Sequence, residues 1–116
     1  MRTDGSTAGQ VAHFDVSGPD EAALHRFYGA VFDWEVEVRG PGYAQVATPE
    51  GSPDGAIAEA EDSSLVVGVA VADLDGALAA AEANGGRIIM PRTDNGWVVK
   101  AQVDDPAGNR VTLIQS

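Results

Sequence analysis

The sequence predicts an α+β fold of two βαβββ modules, whose mostly antiparallel strands form a curved, cup-like sheet with the helices on its convex side. Three observations carry that expectation. Hydrophobic periodicity runs strand, helix, strand, strand, strand, and then runs through the same order again. The two runs superpose at a near-constant offset: laying His13 on Val66 sets it at 53 (66 − 13), and the same offset lays Val16 on Val69, Asp20 on Asp73, Tyr28 on Ala81 and Val36 on Ile89. Finally, Asp105-Pro106-Ala107-Gly108-Asn109 is a turn with a mechanism, feeding a last strand in which Arg110 and Thr112 alternate with Val111 and Leu113. Pro106 presets φ, Gly108 and Asn109 tolerate positive φ, and Asp104 and Asp105 can accept nearby backbone N–H groups.

In the first module, Val11 to Val16 alternates as a strand, with Ala12, Phe14 and Val16 on one face and Val11, His13 and Asp15 on the other. Ser17 and Gly18 end it. Pro19 at a first helical position, with Asp20 and Glu21 in the first turn, opens a helix whose apolar stripe is Leu24, Phe27, Tyr28 and Val31. Trp34 to Val38 alternates as a strand, Gly40-Pro41-Gly42 turns the chain, and Tyr43 to Ala47 pairs back onto it. A Pro-, Gly- and Ser-containing loop leads to a fourth strand, Gly55 to Ala60.

The second module starts after Asp62-Ser63-Ser64, with a strand from Leu65 to Val71 and Asp73 as N-cap of a helix burying Leu74, Ala77, Leu78 and Ala81. Gly85 and Gly86 stop that helix. Strands are then expected over Arg87 to Met90 and Trp97 to Val103, with a turn from Pro91 to Gly96 between them. Residues 1–10 are expected to be a polar tail and residues 11–116 one domain, its modules covering 11–60 and 65–115. One helix can cover only one face of a module's sheet. Two modules therefore need each other, and the second can come from the same chain or from a partner.

The totals narrow the chemistry. A chain of 116 residues buries roughly two thirds of its unfolded surface. Seven basic against 18 acidic residues, for a net charge of −11, argue against nucleic acid or an anionic membrane as partner and would draw in a cationic ligand. With no cysteine there is no disulfide framework, thiolate nucleophile or cysteine metal site. The first ten residues have no apolar stretch of the kind a secretory signal needs, and the apolar run Leu65 to Ala72 is too short to span a bilayer. A soluble cytoplasmic protein is expected.

Three passages resemble the glyoxalase, bleomycin-resistance and extradiol-dioxygenase superfamily, also called vicinal oxygen chelate proteins. The first is Val11-Ala12-His13-Phe14-Asp15-Val16 followed by Arg26 to Trp34; Asp33 stands where glycine is usual. The second is Val69 to Asp75 running on to Ala83-Asn84-Gly85-Gly86-Arg87, and the third is the Asp105 to Asn109 turn. The resemblance implies four metal-ligand positions on the concave faces, on the first and last strand of each module. They fall on His13, Glu59, Val66 and Thr112, the choice of Glu59 resting on equal spacing and giving way to Ala58 if the register shifts by one. His13 and Glu59 are capable ligands, Val66 is not, and Thr112 is a poor substitute for a carboxylate. A metal held by two protein ligands would be weakly bound, so no cofactor is expected.

A third ligand would have to come from outside that pattern, for example Asp15, whereas His25 reads as part of a solvated helix face. His13 has three open readings: a hydrogen-bonding group in a wet cavity, a metal ligand, or a general base oriented by a carboxylate. Tyr43 and Trp97 occupy matching places in the two modules and either pack or line the cavity. Arg110, on the face of Thr112, either reaches a ligand carboxylate or closes the rim. The candidate ligand-binding set is therefore His13, Glu59, Thr112, Tyr43, Trp97 and Arg110, with His13 as candidate catalytic residue. The reading preferred is a metal-independent member of the superfamily that binds a small organic molecule in the concave cavity, as a homodimer. The alternatives are a metal-dependent lyase, isomerase or ring-opening dioxygenase, and a dimeric interaction or regulatory module.

Overall fold

The computed structural model describes residues 8–116 and contains the two βαβββ modules of an α+β fold. The chain forms two compact units, one of Ala12–Val66 and one of Val67–Ser116 that also takes in residues 8–11. Each is built on its own core.

In the first unit, β1 (Gln10–Gly18) leads into α1 (Glu21–Phe32), followed by β2 (Glu35–Gly40), β3 (Tyr43–Ala47) and β4 (Asp54–Glu59). The strands lie in the order β2-β3-β4-β1, with β1 and β4 parallel and the other pairs antiparallel. The chain enters α1 two residues later than expected. Asp20 is the N-cap, its side chain accepting the Ala23 N–H at 3.1 Å, and Pro19 lies just outside the helix. Val16, Ala44, Val46 and Ile57 are buried, and Phe14, Leu24, Tyr28, Trp34 and Val36 pack against them. Gly55 is part of this packing, since a Cβ there would fall 2.6 Å from Cδ2 of Phe14 and closer still to Cε2 and Cζ. The Phe14 ring occupies the space a larger residue would need.

Alternation on each strand fixes which side chains share a face. Val16, Ala44, Val46 and Ile57 face α1. His13, Asp15 and Ser17, register partners of Asp54, Ala56 and Ala58, face away from it, as do Tyr43, Gln45 and Ala47.

The second unit contains β5 from Val67 onward (the strand spans Ser64–Val71), α2 (Leu74–Ala83), β6 (Arg87–Asp94), β7 (Val99–Asp104) and β8 (Arg110–Gln115). Its strand order is β5-β8-β7-β6, again with the first and last strands of the module parallel. Asp73 caps α2 as expected, accepting the Gly76 N–H at 3.0 Å. The predicted stripe packs into a core of Leu74, Leu78, Ala101, Val103 and Leu113, with Ala77 and Ala81 against it.

Strand β6 runs four residues past the expected end at Met90, through Pro91 to Asp94. It lies at the edge of its sheet and breaks register on either side of Met90, which is how proline is accommodated in a strand. Strand β7 begins at Val99, two residues after Trp97. The tail expected over residues 1–10 falls mostly outside the described residues, and Gln10 already belongs to β1. A Cβ on Gly9 would come 2.9 Å from Val69 Cγ1, so this part of the chain is closely packed.

Candidate functional site

The face of the first module that α1 leaves uncovered forms a groove of about 350 Å³. His13 on β1 and Asp54 on β4 are register partners at one side of it. Glu35 and Glu37 on β2 face Ala47 and Gln45 of β3, and Tyr43 with Arg39 completes the wall. Tyr43 is 41% exposed, so it lines the groove rather than packing into the core.

Hydrogen bonds hold several of these groups in place. His13 Nε2 lies 3.1 Å from Asp15 Oδ1, two residues along the same strand face. A carboxylate only accepts, so the ring N–H donates and the neutral imidazole carries its lone pair on Nδ1. Arg39 donates from Nε to Gln45 Oε1 at 2.9 Å, and its Nη1 lies 3.4 Å from Glu37 Oε1. Asp54 accepts the Thr48 N–H at 2.9 Å, which pins the loop before β4 to the groove. Three carboxylates against one guanidinium leave the groove negative.

Of the expected site residues, only His13 and Tyr43 meet here. The β1–β4 register pairs Ser17 with Ala58 and Gly18 with Glu59. Glu59 thus has the parity of Ile57, on the helix side of the sheet, where it stands against Gly42. Ala58 has the parity of His13. Equal spacing in the two modules pointed to Glu59, and strand pairing, which spacing does not encode, points to its neighbour.

Thr112 is 7% exposed and its hydroxyl accepts the Gln102 amide at 3.1 Å. Arg110 is held by Asp104 across the β7–β8 pair, Nε to Oδ1 at 2.9 Å and Nη2 to Oδ2 at 3.3 Å. The hydrogen bond from Arg110 holds the Asp104 carboxyl below its usual pKa, and Arg110 is raised in turn. Trp97 stands in the turn between β6 and β7, 88% exposed, with its N–H and that of Val98 donating to Asn95 Oδ1.

The donor set does not fit a metal site of the family kind. Val66 offers no donor, the Thr112 hydroxyl is engaged, and Glu59 lies on the helix side. Among the described residues no group of three or more His, Cys, Asp or Glu is placed to hold a metal ion. No helix among them is long and apolar enough to cross a membrane.

Glu35, Glu37, Arg39, Gln45 and Asp54 line the groove without having been expected there. A signal for the first two exists in the sequence: they alternate with Val36 and Val38, so burying the valines turns both glutamates outward.

Comparison with known proteins agrees with this architecture. The family model described as Glyoxalase/Bleomycin resistance protein/Dioxygenase superfamily matches residues 10–113. No curated protein matches the sequence. A superfamily member from Vibrio splendidus 12B01 superposes with a TM-score of 0.72 at 16% identity, over 94% of this chain and 100% of that one. Methylmalonyl-CoA epimerase from Mycobacterium tuberculosis gives a TM-score of 0.68 at 14% identity, over 99% and 92%. An extradiol ring-cleaving dioxygenase from B. fuscum gives 0.73 at 18% identity, over 97% of this chain but 34% of the dioxygenase. At these identities the likeness is one of fold. With the family model matched over both modules, the chain belongs to the glyoxalase/bleomycin resistance protein/dioxygenase superfamily.

Proposed function

We propose that this chain is a metal-independent member of its superfamily that binds a small polar organic molecule in the groove of the first module. The observation that carries the reading is the contrast between a groove of about 350 Å³ and a ligand set in which His13 alone has both a metal-binding group and the open face. Such a groove has the size of a small-molecule site. Its polar groups are held in advance: Asp15 fixes the His13 ring, and Gln45 and Glu37 hold Arg39. A ligand carrying both a cationic and an anionic group has partners there, the glutamates for one and Arg39 for the other.

We read the protein as a homodimer, supported by the exposed Phe27 and Val31 on α1, 53% and 55% accessible. Light scattering at twice the chain mass is the expected result.

A second reading is favoured by the His13–Asp15 pair. A histidine oriented by a carboxylate is the arrangement of a general base, with the carboxylate holding the ring in place against a bound substrate.

Metal analysis of protein purified without added metal or chelator, followed by titration with zinc, nickel, manganese and iron(II), tests the proposal against metal-dependent chemistry. No stoichiometric metal, together with small molecules that perturb the NMR signals of His13 and Tyr43, is the expected result. Stoichiometric metal that His13→Ala removes would overturn the metal-independent reading.

A further inference from the structure

A second groove, of about 340 Å³, opens at the C-terminal end of α1, where the chain turns into β2. Phe32 and Trp34 form its aromatic wall, with ring centroids 4.8 Å apart and planes tilted by 34°. Trp34 is fixed from behind, stacked on Tyr28 at 6.1 Å and 6° and set 5.5 Å from Phe14. Phe32, by contrast, is 50% exposed. Asp33 and Glu35 bring two carboxylates to the same groove, and no basic side chain among the described residues lines it.

The helix end adds to the field. The last carbonyls of a helix carry partial negative charge and attract cations. In α2 the cap side chain answers this, Asn84 Nδ2 donating to Ala80 O at 2.8 Å. In α1 the cap side chain is the Asp33 carboxylate, which cannot donate, and the last turn has no basic residue.

Two aromatic side chains, two carboxylates and a helix C-terminus with no basic residue on its last turn meet at one cavity. We propose that this groove is a binding site for an organic cation of the alkylammonium class. Alkyl groups on nitrogen spread the charge over a greasy surface, which suits a ring face better than a strongly hydrated metal ion or primary ammonium does. The carboxylates and helix end supply the long-range attraction. The site is distinct from the groove on the open sheet face, although Glu35 and Ala47 border both. It does not depend on what the first groove binds.

Choline and its neutral isostere 3,3-dimethylbutan-1-ol are the probes, and the indole N–H signals of Trp34 and Trp97 are the readout, assigned with Trp97→Phe. Choline is expected to shift the Trp34 signal saturably with a dissociation constant in about the millimolar range, and the isostere to bind about tenfold more weakly or not at all. Asp33→Asn keeps a residue that tolerates the left-handed backbone, so it should retain the native spectrum while weakening choline about threefold or more. Phe32→Leu should do the same. His13→Ala and Tyr43→Ala, in the other groove, should leave choline binding unchanged. No saturable Trp34 shift up to about 100 mM choline, equal binding of the isostere, or unchanged affinity in a folded Asp33→Asn protein would overturn the proposal.

Discussion

Arg110 grips Asp104 through two hydrogen bonds between directly facing residues of β8 and β7. Arg87, facing Asp104 from β6, stands 3.9 Å from the same carboxylate. The arrangement makes Arg110 a part of the sheet before it can be part of a site, and it links acid stability to a named group. Next along the chain, the Asn109 side chain and then its backbone hold Asp105 below the usual carboxylate pKa, with Ala107 and Gly108 adding backbone bonds.

Both carboxylates have folded-state pKa values below the ordinary aspartate value. The unfolded chain therefore binds more protons in that range, and the stabilisation is complete above about pH 4 and lost as pH falls through the folded values. Asp104→Asn should flatten the fall in stability below about pH 4, measured by urea unfolding at several pH values. An unchanged acid limb would remove Asp104 from the account.

Gly55 has no room for a side chain, because the Phe14 ring lies where the Cβ would be. Gly55→Ala should destabilise the protein by about 1–3 kcal/mol through overpacking. Phe14→Leu in the same chain should recover part of that loss, since it removes the clashing ring. Denaturant unfolding of the single and double variants tests the coupling.

Asp33 is the one non-glycine residue with positive φ among the described residues, at φ 57° and ψ 31°, and it caps α1. Its Cβ costs energy there that glycine would not, partly offset by the greater freedom glycine gives the unfolded chain. Asp33→Gly should raise stability by about 0.5–1 kcal/mol, read as a higher denaturation midpoint. A loss of stability would mean that the carboxylate itself has a structural role.

For the first groove, His13→Ala should weaken binding of any ligand found by NMR screening by about tenfold, and Asp15→Asn by less, because it disturbs only the orientation of the ring. The His13 and Asp15 side chains are 36% and 41% exposed. Both variants should therefore keep a thermal transition within about 2 °C of the parent. Equal affinity in His13→Ala would show that the groove is not the site.

Order and type of the elements are legible in the sequence because they depend on local pattern. Alternation marks the strands, the stripe Leu74, Ala77, Leu78 and Ala81 marks α2, and the 53-residue offset exposes the duplication before any contact is known. Boundaries near turns are less so: Trp97, expected in a strand, lies in the turn, where Asn95 takes its N–H. Proline at Met90-Pro91 is expected to end β6, and the edge position with its register breaks lets the strand continue.

Placement of the site divides along the same line. That His13 and Tyr43 turn to the groove side is legible in the sequence, because each strand's own alternation sends them outward. Which residue of β4 joins them, whether Arg110 is already paired, and that Glu35, Glu37 and Asp54 share the groove were decided by register and by partners distant in the chain. A strand's periodicity determines which residues share its faces; only pairing with its neighbours determines which of those faces meet, and a shift of one residue reverses the answer.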